Sequence, residues 1–207
     1  MKTVDFYFDF LSPYAYLAAT QIPLLIDRHS SRAVFTAHAI DMWAARVAAG
    51  NTGPSNREIP RKAAVLMADV SRWAKRYKIP LAQPKVFDMQ RLNKAFWAAD
   101  AQGGGIPFMV SAFRMTWGEG GDPTSVELIK AAASEAGLNP SQVYADSAEA
   151  GIATCYETEN AKAQERGIFG APFFIVGKEI FWGNDRIGFV EEELYRRGTH
   201  EDLPLRY

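Results

Sequence analysis

Ser12-Pro13 is the pair in this sequence whose residue types and spacing point most directly to chemistry. Serine is a favoured helix N-cap and proline suits the first helical position. The apolar run Tyr14 to Leu25 that follows is expected to form a helix. A hydroxyl then stands at a strand-to-helix junction, where free backbone N–H groups and the positive end of the helix dipole favour an anion. A thiolate is such an anion. Taken alone, Ser12 is better accounted for as a cap that does nothing more.

Other chemistries find little support. The single cysteine, Cys155, excludes an internal disulfide and a Cys-x-x-Cys redox pair and suits a reducing, cytoplasmic setting. It is expected to be a small packed residue in a helix. The three histidines are scattered without ligand spacing, so no metal is expected. His38 sits among apolar neighbours and is read as structural. Ser12 lacks a Gly-x-Ser-x-Gly elbow and a histidine placed to act as its base, which argues against a hydrolase. A net charge of −1 gives no electrostatic case for nucleic acid or an anionic membrane surface. No apolar run is long enough to span a bilayer, and Asp5 and Asp9 interrupt what would otherwise resemble a signal segment. With 48% hydrophobic and 23% charged residues, the 207-residue chain has an ordinary globular composition and length enough for a sizeable core.

The elements that must position Ser12 can be read in order. Val4, Phe6, Phe8 and Phe10 alternate with Asp5, Tyr7 and Asp9, which predicts a strand with one apolar face. Ala33 to Ile40 predicts a second strand, parallel to the first across a β-α-β unit. Residues 50–57 are dense in turn formers and are expected to loop. Helices are then expected over Arg61–Tyr77, Asp88–Gln102 (closed by Gly103-Gly104-Gly105), Pro107–Trp117 and from an Asp122-Pro123 cap to Gly137. A short helix at Asn139-Pro140 and a long one over Ser147–Arg166 follow. Phe173–Val176 and Glu179–Trp182 predict a hairpin. Gly183-Asn184-Asp185 starts a closing helix, Arg186 to Arg197, stopped by Gly198. The layout is an α/β, thioredoxin-like β-α-β-β-α domain with an all-helical domain inserted in its middle. The expected division is 1–42 with 165–207 for the discontinuous thioredoxin-like part, and 43–164 for the insertion. Pro172 falls just before the third strand, where such folds carry a cis-proline; an ordinary trans proline opening an edge strand is the alternative.

Five blocks carry a resemblance to one family: Asp9-Phe10-Leu11-Ser12-Pro13-Tyr14, Gly53-Pro54-Ser55-Asn56-Arg57, Arg72-Trp73-Ala74, Trp117-Gly118-Glu119-Gly120 and Trp182-Gly183-Asn184-Asp185-Arg186. Together they resemble the 2-hydroxychromene-2-carboxylate isomerases, which group with the kappa-class glutathione transferases and are distantly similar to DsbA-type oxidoreductases. The resemblance implies a homodimeric, cytoplasmic enzyme of naphthalene-type aromatic breakdown with glutathione as cofactor and a small aromatic organic acid as substrate. The implied reaction interconverts 2-hydroxychromene-2-carboxylate and trans-o-hydroxybenzylidenepyruvate by thiolate addition, bond rotation and elimination, so the protein needs no catalytic cysteine of its own.

The resemblance also assigns roles. Ser12 would activate the glutathione sulfur, because a hydroxyl donor and a helix N-terminus both favour the thiolate. The backbone of Ala171, beside Pro172, would pair with the cysteinyl part as an added strand. Trp182, Gly183, Asn184 and Asp185 would hold the γ-glutamyl end. Arg46, Asn56 and Arg57 would bind the oxygens of the organic acid, an arginine fork matching a carboxylate. Phe87 stands where the isomerases carry a tyrosine, removing one hydrogen bond to substrate. Trp117-Gly118-Glu119-Gly120 reads as a helix end near the pocket with no further role. Without the family, Asn184-Asp185 reads as a capping pair, Trp182 as a core aromatic and the arginines as surface charges. Two other functions remain open: a general glutathione transferase with the same Ser12 role, and a non-catalytic thioredoxin-like binding protein with no affinity for glutathione.

Overall fold

The structure, a computed structural model, describes residues 1–196. Its sheet has the order β2-β1-β3-β4, with β1 (Lys2–Phe8) parallel to β2 (Ala33–Ala39) and antiparallel to β3 (Phe173–Val176). β4 (Glu179–Trp182) closes the hairpin against β3. Among the described residues every strand of this thioredoxin-like sheet lies near an end of the sequence. Between β2 and β3 run α3 (Met42–Ala48), α4 (Pro60–Tyr77), α5 (Gln90–Ala101), α6 (Gly105–Phe113), α7 (Val126–Glu135), α8 (Pro140–Asp146) and α9 (Ala150–Glu165). α10 (Ile187–Tyr195) follows the hairpin; the expected stop at Arg197 and Gly198 lies outside the described residues.

The alternation read in β1 is the reason for this arrangement. Val4, Phe6 and Phe8 turn to one side and are fully buried, and Phe8 meets Phe96 of α5 and Phe113 of α6 at 5.0 and 5.6 Å between ring centroids. Phe10 packs against Phe113 at 4.5 Å, the rings tilted by 50°. A single apolar cluster thus runs from the sheet into α5, α6 and α7, and burying so many aromatic rings dominates the packing energy. None of the helices among the described residues is long and apolar enough to cross a membrane.

Several helix boundaries differ from the expectation. The helix after Ser12 is broken in two, α1 (Pro13–Ala19) and α2 (Ile22–His29). Pro23 is the cause: it lacks an N–H and its ring crowds the carbonyl four residues back, so the helix must restart. Gly105 opens α6 instead of closing α5. Ser125, not Asp122, caps α7 by accepting from the N–H groups of Glu127 and Leu128, while Asp122 is spent on the Thr124 turn. α9 begins at Ala150, since the Ser147 hydroxyl bonds back to the Tyr144 carbonyl and closes α8.

Candidate active site

Ser12 leaves β1 in an extended conformation (φ −90°, ψ 116°) and caps α1, its Oγ accepting from Ala15 N–H at 3.2 Å. The same hydroxyl donates to the Ala171 carbonyl at 3.0 Å, across 159 residues of sequence. The Ala171-Pro172 peptide is cis. The Pro172 carbonyl in turn accepts from Gly183 N–H at 3.0 Å. Gly183 has φ +113°, which favours glycine, and a Cβ there would sit 2.4 Å from an Asp185 carboxylate oxygen. Ser12, Ala171-Pro172 and Trp182 to Asp185, distant in sequence, therefore form one hydrogen-bonded floor.

Asp9 locks that floor from below, a role the sequence reading missed. Its carboxylate is buried and accepts from Leu11 N–H (2.9 Å), Met42 N–H (2.9 Å) and Asn93 Nδ2 (3.0 Å). Asn93 also accepts from Phe10 N–H at 3.2 Å and donates toward Ile40 O and the Tyr156 hydroxyl. Burial pushes the Asp9 carboxyl up, against the pull of its three donors. One buried side chain so fixes the Ser12 turn to the start of α3. In sequence Asp9 is only the polar partner in an alternating strand, so nothing local marks it.

Above the floor lies a cleft of about 1200 Å³. Its lining includes Ser12, Ala171, Pro172, Trp182, Gly183, Asn184 and Asp185, together with Arg46, Asn56 and Arg57. Phe87 does not line it; this residue faces a smaller neighbouring pocket and lies against the Arg57 guanidinium. Five basic side chains (Arg46, Arg57, Arg61, Lys62, Arg186) face the cleft against two carboxylates, Asp69 and Asp185. In a chain of net charge −1 this is a local excess of positive charge suited to an organic anion. Arg46 ties the rim loop by donating to Asn51 Oδ1 and the Gly53 carbonyl. Burial pushes the Arg57 guanidinium down and the nearby Asp9 carboxylate offsets this; an arginine remains a cation throughout.

The opposite wall is α4, whose Lys62, Val65, Leu66, Asp69 and Trp73 fall on one helical face. The sequence pattern did mark an apolar face on this helix, but only Val70 and Ala74 are buried in full. The polar members at the same spacing were the signal for a cleft wall. Asp69 accepts from the Tyr14 hydroxyl at 2.9 Å, and burial together with that carboxylate pushes the Tyr14 phenol up. Trp182 is 56% exposed and packs edge-on to Phe169 at 4.8 Å, so it is a rim aromatic and not a core one. Asn184 is buried, and among the described residues its amide faces the Tyr77 hydroxyl, with no partner for Nδ2 at good hydrogen-bond geometry. His38, stacked on Tyr7 at 4.7 Å, and Cys155 of α9 lie outside the cleft lining.

Residues 3–195 match the model of the DSBA-like thioredoxin domain. The chain is 39% identical to 2-hydroxychromene-2-carboxylate isomerase of Sphingobium xenophagum over 193 residues, covering 93% of this chain and 98% of that one. It is 34% identical to the enzyme of the same name from Pseudomonas putida, covering 93% and 94%. A solved 2-hydroxychromene-2-carboxylate isomerase superposes with a TM-score of 0.87 at 33% identity, over 93% of this chain and 94% of the other. A probable DsbA oxidoreductase from Streptomyces coelicolor, 16% identical with a TM-score of 0.74 over 99% and 94%, shares the fold. The chain belongs to the 2-hydroxychromene-2-carboxylate isomerase family of DSBA-like thioredoxin proteins.

Proposed function

We propose that this chain interconverts 2-hydroxychromene-2-carboxylate and trans-o-hydroxybenzylidenepyruvate, with glutathione bound on the cleft floor as in the kappa-class transferases. The observation that carries the reading is the Ser12 hydroxyl beside the Ala171 carbonyl at the base of a cationic cleft. The donor set suits a zwitterionic tripeptide. Asp185 and Asp69 offer carboxylates to an ammonium, the basic side chains meet its carboxylates, and the buried Asn184 amide, with two N–H donors, keeps one beyond its approach to Tyr77. Bound there, glutathione supplies a nucleophilic sulfur whose reversible addition to a conjugated double bond frees that bond to rotate.

The protein's own part is placement and charge. Ser12 Oγ–H turns from the Ala171 carbonyl to the sulfur and favours its anionic form. The Ala171 backbone, released, pairs with the cysteinyl unit. Arg57, with Arg46 and Asn56 beside it, receives the substrate carboxylate and offsets negative charge building on the adjoining oxygen. Trp182 covers the γ-glutamyl end and keeps water off it. The substrate class sets the protein within naphthalene-type aromatic breakdown. We further infer a cytoplasmic homodimer from the single cysteine and the family, a state light scattering would read.

The test is an absorbance assay of the purified protein with 2-hydroxychromene-2-carboxylate, with and without glutathione. Conversion that requires glutathione is expected. No conversion, with glutathione still bound in calorimetry, would make this a transferase for another electrophile. No binding of glutathione at all would remove both readings.

A further inference from the structure

Trp117 lies in a π-helical turn, Arg114–Gly118, and is fully buried. Such turns recur where a helix is bent to serve a site. Its indole N–H donates to the Phe10 carbonyl at 2.7 Å, two residues before Ser12. Arg57 lies against the same ring: the guanidinium carbon is 5.7 Å from the Trp117 centroid and 4.3 Å from that of Phe87. The two rings stand 6.2 Å apart at 50°. The segment leading to Phe87 is tied to the same turn, Ala82 N–H donating to the Trp117 carbonyl at 2.6 Å and Lys85 N–H to that of Gly121 at 3.3 Å. Gly118 leaves no slack, since a Cβ there would lie 3.1 Å from the Tyr16 hydroxyl and 3.2 Å from Pro80.

Among the described residues no carboxylate pairs with Arg57 at ion-pair distance and no hydrogen bond engages its side chain. A guanidinium held by aromatic rings on one side spends none of its N–H donors on a fixed acceptor. A salt bridge would have held it too, but by using the same donors that a substrate carboxylate needs.

We propose that Phe87 and Trp117 are positioning residues. They cradle the Arg57 guanidinium from one side, leave its N–H donors open to the anionic end of the substrate, and, through the Trp117–Phe10 bond, set it relative to Ser12. The proposal rests on the reading that Arg57 receives the substrate carboxylate. Phe87 is then a clamp on an arginine and not a substrate contact, which explains why a residue without a hydroxyl serves there.

Phe87 is 47% exposed, so it can be changed without emptying the core. With saturating glutathione and 2-hydroxychromene-2-carboxylate, Phe87→Leu should raise KM about three- to tenfold with little change in kcat. Phe87→Tyr, which keeps the ring, should restore KM. In an Arg57→Ala background Phe87→Leu should add nothing. An equal KM effect of Phe87→Leu in both backgrounds would overturn the proposal, as would failure of Phe87→Tyr to rescue. NMR gives a readout that needs no substrate: the Arg57 δ-methylene and Nε–H resonances should be ring-shifted upfield and relax downfield in Phe87→Leu. Unshifted resonances overturn the clamp itself. Shifted resonances with an Arg57→Ala variant of normal KM would instead overturn the carboxylate reading and, with it, the clamp's role in substrate placement.

Discussion

Ser12→Ala removes one hydroxyl that makes two hydrogen bonds, accepting from Ala15 N–H and donating to the Ala171 carbonyl. A hydroxyl has one proton, so donating to a bound sulfur anion means releasing the Ala171 carbonyl. A neutral hydrogen bond contributes about 0.5–1.5 kcal/mol and one to a charged group about 1.5–3. The exchange therefore favours the anion by about 1–1.5 kcal/mol, or about one pKa unit. Without the hydroxyl, the pKa governing kcat/KM should rise by about one unit toward the ~8.5 of a free thiol. Near neutral pH the variant should be about tenfold slower, and the deficit should close in alkaline buffer once the thiol ionises unaided. Stability should fall as well. Losing the cap costs about 1 kcal/mol and losing the Ala171 bond about 1 more. A chain of this length then melts about 4–8 °C lower. The assay is the initial rate across a pH series at saturating glutathione, beside a calorimetric melt. A rate deficit that stays constant with pH, or no deficit, would refute the role given to Ser12.

Asn93→Ala strips the acceptor from Phe10 N–H and a donor from Asp9 inside the core, so it should cost about 3 kcal/mol and lower the melting temperature by about 6–12 °C; an unchanged melt would remove the network from the account. Trp182→Ala, at an exposed rim position, should leave the ligand-free melt in place and weaken glutathione about tenfold in calorimetry. Undiminished affinity would take Trp182 out of the site. Burial pushes the Asp5 carboxyl up, but the Thr36 hydroxyl and the Arg166 guanidinium outweigh it and hold it below 3.8. A depressed carboxyl contributes stability above its unfolded value that is lost as pH falls through the folded one. Asp5→Asn should therefore be less stable than the parent at neutral pH, with the two denaturation curves converging in strong acid; a gap independent of pH would contradict this.

Much of the fold was legible because it is written in short-range patterns. The alternation in β1, the Ser12-Pro13 cap and the tight hairpin at Gly177-Lys178 each depend on residues within a few positions. The errors occurred where a single residue reverses a pattern that its neighbours support. Pro23 splits an apolar run that reads as one helix, and Gly105 begins a helix within a glycine triplet that reads as a stop. Site residues named from the family fell into one cleft, apart from Phe87, whose aromatic character was visible but whose neighbour was not. Asp9 and the Lys62–Trp73 face of α4 went unnoticed for the same reason.

By itself the sequence determined the β-α-β and β-β-α ends, a hydroxyl in place of a thiol at the strand-to-helix junction, and the lack of any cysteine pair. These follow from backbone preference, side-chain period and composition, which are local or additive. Only the tertiary structure decided that Asp9 buries its carboxyl group against two backbone donors and Asn93, that the Ser12 hydroxyl meets a carbonyl 159 residues away, and that Arg57 lies against two rings with its donors left open. Each of these is a contact between distant segments. Its energy depends on where the chain has been folded to, and no run of neighbouring residues contains that information.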